Sequence, residues 1–168
     1  MIHVGRPCLV VRGPGPLLCL RRESIPAVQV GTSVSTKTQL RVRYADTDAA
    51  GIVHYARYLG YLEAARAEAL RAAGLSSEMI ATYSLHAWLL QAVIRYRASA
   101  RFDDLLDVHA RVLEVSESHF RFAYEIKRAA DQVVIATSET VHTWTDPRSA
   151  ADVGFPAWLL AALHQLRD

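Results

Sequence analysis

The segment from Tyr44 to Gly74 constrains the fold of this chain more than any other stretch. It begins with a polar loop containing two aspartates, Asp46 and Asp48, and continues into a run whose apolar residues recur at three- and four-residue steps. Such spacing places those residues on one face of an α-helix. They are Tyr55, Tyr58, Leu59, Leu62, Ala65, Ala69 and Ala73. We therefore predict a strand that ends near Tyr44, an acidic loop, and a helix from about Tyr55 to Ala73 that Gly74 stops.

The acidic loop lies directly before the N-terminus of the predicted helix. Backbone N–H groups there have no acceptor within the helix, and they can stabilise a developing negative charge. A carboxylate such as Asp48 facing those donors suits acyl transfer, because it can attack a carbonyl or activate water while the amides polarise the carbonyl. The commoner explanation of the same pattern is a polar loop whose aspartate caps the helix, and the local pattern alone favours that explanation.

The remainder of the chain alternates apolar and polar residues in several runs, as half-buried strands do. Beyond the first strand, runs over 85–98, 106–112, 120–127 and 133–144 predict strands, and Pro156 opens a short helix. That helix carries Leu159, Ala162, Leu163 and Leu166 on one face. A single long helix must be covered by the sheet because neither apolar face can remain in water. The order of elements predicts an α+β domain.

Composition excludes several classes of protein. Hydrophobic residues make up 51% of the 168 residues, and the formal net charge is +2, so neither a disordered chain nor a dominant nucleic-acid surface is expected. No apolar run approaches the ~20 residues of a membrane span. The only cysteines, Cys8 and Cys19, form neither a disulfide framework nor a zinc-binding spacing, so we expect a reducing, cytoplasmic setting.

The N-terminal part of the chain differs from the remainder. Gly13, Pro14, Gly15 and Pro16 interrupt any regular element, and short apolar patches flank them. We expect a poorly ordered extension over residues 1–35, which a start codon assigned too early would explain. A single domain is predicted over residues 36–168.

The loop and helix resemble the hot-dog fold, and within it the 4-hydroxybenzoyl-CoA thioesterase family. The resemblance is closest to the bacterial acyl-CoA thioesterase branch linked to the Tol-Pal envelope system. The motif is Asp-Thr-Asp-Ala-Ala-Gly-Ile-Val-His-Tyr-Ala-Arg-Tyr-Leu over residues 46–59, with Glu-Ala-Ala-Arg at 63–66 and a supporting match at 96–104. The similarity extends roughly from Thr36 to Pro156. It implies one long central helix wrapped by a curved antiparallel sheet of about five strands, followed by a short C-terminal helix.

The resemblance also implies an activity and a set of site residues. The activity is hydrolysis of an acyl-CoA thioester to a free acid and CoA, without a cofactor or a metal. The catalytic aspartate corresponds to Asp48 and the polarising backbone N–H to Tyr55. The preceding His54 either orients substrate or only packs in the loop. Substrate-binding positions are Gly51, Ile52, Val53 and Tyr58, and the candidates for CoA phosphates are Arg97, Arg101 and Arg148. The family implies a homodimer or homotetramer with each site at a subunit interface.

Other functions remain open at this point. A hydratase or dehydratase acting on an acyl thioester would use His54 with Asp48 for proton transfer, and a non-catalytic acyl-CoA-binding module would use the same pocket. A divalent metal held by Asp46, Asp48 and His54 is a further alternative. The sequence does not distinguish a nucleophilic Asp48 from a general base, and it does not identify the acyl group.

Overall fold

The computed structural model describes residues 35–75, 86–116, 119–145 and 157–167. The predicted extension, except for residue 35, and the candidate Arg148 lie outside these ranges. Within them the elements are β1 (Thr36–Arg41), α1 (Tyr58–Ala72), β2 (His86–Tyr96), β3 (Leu105–Val115), β4 (Phe120–Arg128), β5 (Val134–Thr145) and α2 (Ala157–Gln165). No helix in this described part of the chain is long and apolar enough to span a bilayer.

The five strands form one antiparallel sheet in the order β1-β3-β4-β5-β2, which confirms the predicted sheet and its two helices. Strands β3, β4 and β5 are consecutive neighbours, as a meander requires. Strand β2 follows α1 in the chain but pairs with β5 at the far edge, where Ile94 lies opposite Ser138. The two outer strands are therefore β1 and β2, at opposite edges of the sheet.

Helix α1 packs on β1 and β3 through a face of small and apolar side chains. Ala65 and Ala69 are fully buried, and such short side chains let a helix lie close to a sheet. The other buried residues of the helix are Tyr58, Tyr61, Leu62 and Leu70. Helix α2 buries Leu159, Ala162 and Leu163, and Leu166 just beyond it is also buried, which confirms the predicted apolar face.

The predicted apolar face of the long helix was wrong at two positions. Tyr55 is 68% exposed and Leu59 is 42% exposed. At Tyr55 the reason is that Tyr55–Arg57 form a 3₁₀ turn before α1 begins, whereas Leu59 lies within α1 on a side that the sheet does not cover. A 3₁₀ turn has about 3.0 residues per turn, so the α-helical spacing does not continue back through it.

The first strand also ends earlier than predicted, at Arg41 and not near Tyr44. Residues Tyr44–Asp46 form a 3₁₀ turn, and the buried Asp46 carboxylate closes it by accepting hydrogen bonds from Arg43, the residue just before the turn. Its Oδ2 accepts from the Arg43 backbone N–H and Nε, both at 3.1 Å, and its Oδ1 accepts from the Arg43 guanidinium at 2.8 Å. The Tyr61 hydroxyl on α1 donates to Oδ2 at 3.1 Å. Asp46 therefore joins the end of the first strand to the long helix.

These bonds favour the ionised carboxylate. The Arg43 side chain is the largest cause that holds the pKa of Asp46 below its ordinary value of 3.8, against the opposing effect of burial. Because the folded-state pKa is the lower one, the stabilisation is present above the unfolded-state pKa and is lost as the pH falls through the folded-state pKa.

We predict that Asp46→Asn lowers the free energy of unfolding near neutral pH by about 1.5–3 kcal/mol, the scale of hydrogen bonds to a charged group. The difference from the unaltered chain should shrink as the pH falls below 3.8, because the carboxyl of the unfolded chain then takes up a proton while the native carboxylate still resists protonation. Urea unfolding at a series of pH values measures both effects.

A matched control is Asp103→Asn, which removes a carboxylate from an exposed pair with Arg41. Asp103 has φ 68°, a conformation that asparagine also tolerates. The expected change is about 0.2–1 kcal/mol, as for other exposed ion pairs. Equal losses in the two variants would contradict the role assigned to Asp46.

Candidate active site

The loop after the 3₁₀ turn is a tight reversal with its own hydrogen bonds. Thr47 and Val53 form an isolated antiparallel bridge, and inside it the Asp48 N–H donates to the Ile52 carbonyl at 2.9 Å. The Gly51 N–H donates to the Asp48 carbonyl at 2.9 Å, and Gly51 has φ 71°. Glycine adopts this left-handed conformation without the strain that a Cβ brings. The small residues of the motif therefore allow the turn that presents Asp48.

The Asp48 side chain is exposed, and its Oδ1 accepts a hydrogen bond from the Ala50 N–H at 2.8 Å. This contact to a backbone amide two positions ahead fixes the direction of the carboxylate. Asp48 borders an open recess of ≈540 Å³ together with His54. The other residues lining the recess are Ala45, Thr47, Ala56 and Arg57. The structure thus brings Asp48 and His54 together at the entrance to the long helix.

His54 is the residue that caps this helical entrance. Its Nδ1 accepts from the Ala56 N–H at 3.3 Å, and its carbonyl accepts from the Arg57 N–H at 2.9 Å. Its ring lies against the Tyr55 ring, with centroids 4.2 Å apart. The amide of Tyr55, the first residue of the 3₁₀ turn, has no acceptor within that turn.

The predicted substrate-binding positions are divided between the surface and the core. Val53 and Tyr58 are buried and Ile52 is half-buried, so Val53 and Tyr58 support the loop from within the core. The Arg101 guanidinium lies 3.8 Å from where a Cβ on Gly51 would be, which brings this arginine to the tip of the loop. Arg97 is exposed just after β2 and does not border the recess.

Two residues of this region received no role from the sequence. Arg57 lines the recess beside Asp48. The sequence could have indicated this arginine, because it lies inside the family motif, directly after the residues at the start of the helical region. The Tyr96 hydroxyl donates to the Tyr55 carbonyl at 2.9 Å across 41 positions of the chain. No local pattern signals that contact.

The oxygens of Asp46 are engaged by Arg43 and Tyr61, and Asp46 does not border the recess. The three-residue metal site considered above needed this carboxylate together with Asp48 and His54. Over the residues that the structure describes, no group of three histidine, cysteine or acidic side chains is arranged to hold a metal ion.

Known proteins resemble this chain in sequence and in fold. An acyl-CoA thioesterase from Haemophilus influenzae, named YbgC, is 32% identical over 129 residues, which are 76% of this chain and 93% of that protein. The crystal structure of a hypothetical protein from Thermus thermophilus matches with a TM-score of 0.73 and 32% identity, covering 80% of this chain and 99% of that one. A 1,4-dihydroxy-2-naphthoyl-CoA thioesterase from Synechocystis matches with a TM-score of 0.72 and 25% identity, covering 79% and 98%.

These structural matches confirm the predicted hot-dog fold. The family pattern described as the Thioesterase-like superfamily matches residues 42–163. That span contains the acidic loop and its recess, the long helix and strands β2 to β5. The chain therefore belongs to the Thioesterase-like superfamily.

Proposed function

We propose that this chain hydrolyses an acyl-CoA thioester to a free acid and CoA in the recess beside the start of α1. The observation that carries the proposal is the exposed Asp48 carboxylate, which shares one recess with the capped first turn of the helix. A carboxylate and helix N-terminal amides are the two groups that acyl transfer requires. The names of the relatives agree, because several are acyl-CoA thioester hydrolases.

In the proposed mechanism the thioester carbonyl oxygen accepts a hydrogen bond from the Tyr55 N–H. Negative charge that develops on this oxygen is stabilised by the amide and by the positive end of the helix. Asp48 either attacks the carbonyl carbon or removes a proton from the attacking water. The carbon–sulfur bond then breaks, CoA leaves as the thiol after protonation, and water supplies the hydroxyl of the acid.

Binding of CoA phosphates is assigned in this proposal to Arg57 and Arg101. Arg57 borders the recess, and the guanidinium of Arg101 reaches the loop tip at Gly51. Both arginines are exposed, and a guanidinium suits the geometry of a phosphate group. Neither Arg97 nor Arg101 lines the recess itself, and we prefer Arg101 because its guanidinium reaches the loop tip.

The proposed active form is a homodimer, or a homotetramer of such dimers, joined along β2. This strand is an outer strand of the sheet, so one side of its backbone has no partner strand among the described residues. Trp88, Leu89 and Leu90 on it are exposed. A free sheet edge with apolar side chains favours pairing with another strand. Joining two such edges would bring the partner subunit toward the recess of the first.

The bacterial branch, the cellular location and the extent of the catalytic domain are also proposals. The identity of 32% to the Haemophilus influenzae thioesterase supports placing this chain in the corresponding bacterial branch. We extend to it the link with the Tol-Pal envelope system and a cytoplasmic location. The catalytic unit is proposed to be the domain over residues 36–168, without the preceding segment.

We predict that Asp48→Asn lowers kcat by about 10²–10⁴-fold while the fold survives, because it removes the ionised acid–base or nucleophilic group. The assay is release of free thiol from short, long and aromatic acyl-CoAs, with circular dichroism to follow folding. Crotonyl-CoA separates hydrolysis from hydration, since hydration consumes the double bond without releasing thiol. Normal turnover by this variant would remove Asp48 from the mechanism, and ligand binding without thiol release would favour a binding module.

A second prediction concerns the phosphate contacts. Arg57→Ala should raise KM for acyl-CoA by about 10-fold, the scale of one charge-assisted hydrogen bond, and should leave kcat close to its original value. The matched control is Arg71→Ala, near the C-terminal end of α1, where the arginine pairs with Glu68. Equal effects of the two substitutions on KM would contradict a specific role for Arg57.

A third prediction concerns assembly. The double variant Leu89→Lys, Leu90→Lys should elute as single subunits, because the introduced charges oppose pairing along β2. The control is Val133→Lys, which changes an exposed apolar residue in the turn before β5. Size-exclusion chromatography with light scattering measures the mass of each variant. An unaltered chain that elutes as a single subunit would contradict the proposed dimer.

A further inference from the structure

The hydroxyl of Tyr96 connects the last residue of β2 to the first turn of the long helix. It donates to the Tyr55 carbonyl at 2.9 Å. The Tyr96 ring meets the buried Tyr58 ring edge to face, with centroids 5.1 Å apart and an interplanar angle of 72°. Tyr96 itself is 48% exposed, so its ring lies at the surface of the chain while its hydroxyl points to the helix entrance.

The Tyr96 contact completes the support of one peptide group. The peptide between Tyr55 and Ala56 has its carbonyl bonded to Tyr96 and its N–H bonded to His54 Nδ1 at 3.3 Å. The preceding peptide carries the Tyr55 N–H, and its carbonyl, that of His54, accepts from Arg57 at 2.9 Å. The other hydrogen bonds of these two peptide groups join residues of the turn and its cap to each other. Tyr96 supplies the tie between the turn and the sheet.

From this geometry we infer that Tyr96 is a positioning residue for the Tyr55 amide, holding its N–H in the direction needed by the thioester oxygen. The inference rests on the proposed function, because the proposed mechanism is what gives that amide its polarising role. Hydrogen-bond donors stabilise developing charge most when they are fixed before the reaction. Small losses of alignment at such a donor reduce the rate without changing which groups are present.

The hydroxyl of Tyr96 is available as a donor at neutral pH. Burial, and then the neighbouring Tyr55, raise the pKa of this phenol above its ordinary value of 10.0. A phenol that stays protonated can keep donating to the Tyr55 carbonyl throughout the working range.

Helix α1 has anchors other than this bond. Helix α1 is anchored by the buried Leu62, Ala65 and Ala69, and by the bond from Tyr61 to Asp46. One hydrogen bond at an exposed position adds little to the free energy of unfolding by comparison. The loss of the hydroxyl should therefore affect catalysis and not folding.

The test is Tyr96→Phe, which removes the hydroxyl and keeps the ring against Tyr58. We expect kcat to fall about 10-fold, with KM within about twofold of the original, because alignment and not ground-state binding is lost. Affinity for an S-alkyl-CoA thioether, which has no carbonyl to polarise, should not change. Tyr44→Phe is the control, since it removes a hydroxyl from another exposed tyrosine whose ring meets Phe102, and it should retain full activity.

The outcomes separate the inference from the proposed function. Unchanged kcat for Tyr96→Phe in an otherwise active enzyme would overturn the positioning role alone. A matching loss of thioether affinity, or a large fall in the melting temperature, would also overturn it, because both would indicate a structural role. If the unaltered chain releases no thiol from any acyl-CoA, the proposed function fails and the positioning role fails with it.

Discussion

The geometry of the recess depends on the buried carboxylate of Asp46. Its side chain accepts hydrogen bonds from Arg43 before the loop and from Tyr61 on the helix, and its carbonyl accepts from the His54 N–H at 2.9 Å. One residue therefore ties together the strand end, the helical entrance and the helix body. A buried carboxylate is stable only when such partners are present, so the three elements are held as a unit.

Two aspartates separated by one residue lie in very different environments. Asp46 is 1% exposed and satisfied by protein donors, whereas Asp48 is exposed at the edge of the recess and accepts a single backbone bond from Ala50. Asp46 is the last residue of the 3₁₀ turn, whereas Asp48 lies beyond the Thr47–Val53 bridge in the tight reversal, so the two side chains leave different backbone conformations. The first carboxylate thus holds the loop in place, and the second is exposed to the open recess.

The loop is also tied to the sheet by the segment that begins at the end of β2. The Val53 N–H donates to the Ala100 carbonyl at 2.9 Å, and Tyr96 bonds to the helical entrance. Strand β2 lies at an edge of the sheet, so in the proposed dimer the same strand would both pair with the partner subunit and align the helix entrance. Assembly and catalytic geometry would then be linked through one strand.

The sequence alone was sufficient for features that depend on neighbours a few positions apart. Alternating residues predicted the strands, spacing of three and four predicted the helix and the buried face of α2, and the polar residues around Asp48 predicted the loop before the helix. These patterns are local because the spacing of apolar residues in a strand or a helix depends only on which side of that one element faces the core.

Only the tertiary structure decided how distant parts meet. The position of β2 beside β5, the bond from Tyr96 to Tyr55 and the approach of Arg101 to Gly51 all follow from the order of strands in the sheet. The exposure of Tyr55 likewise followed from a 3₁₀ turn that the helical spacing did not reveal. Such contacts join residues far apart in the chain, and no local period encodes them, because they depend on which strands become neighbours when the whole core is buried.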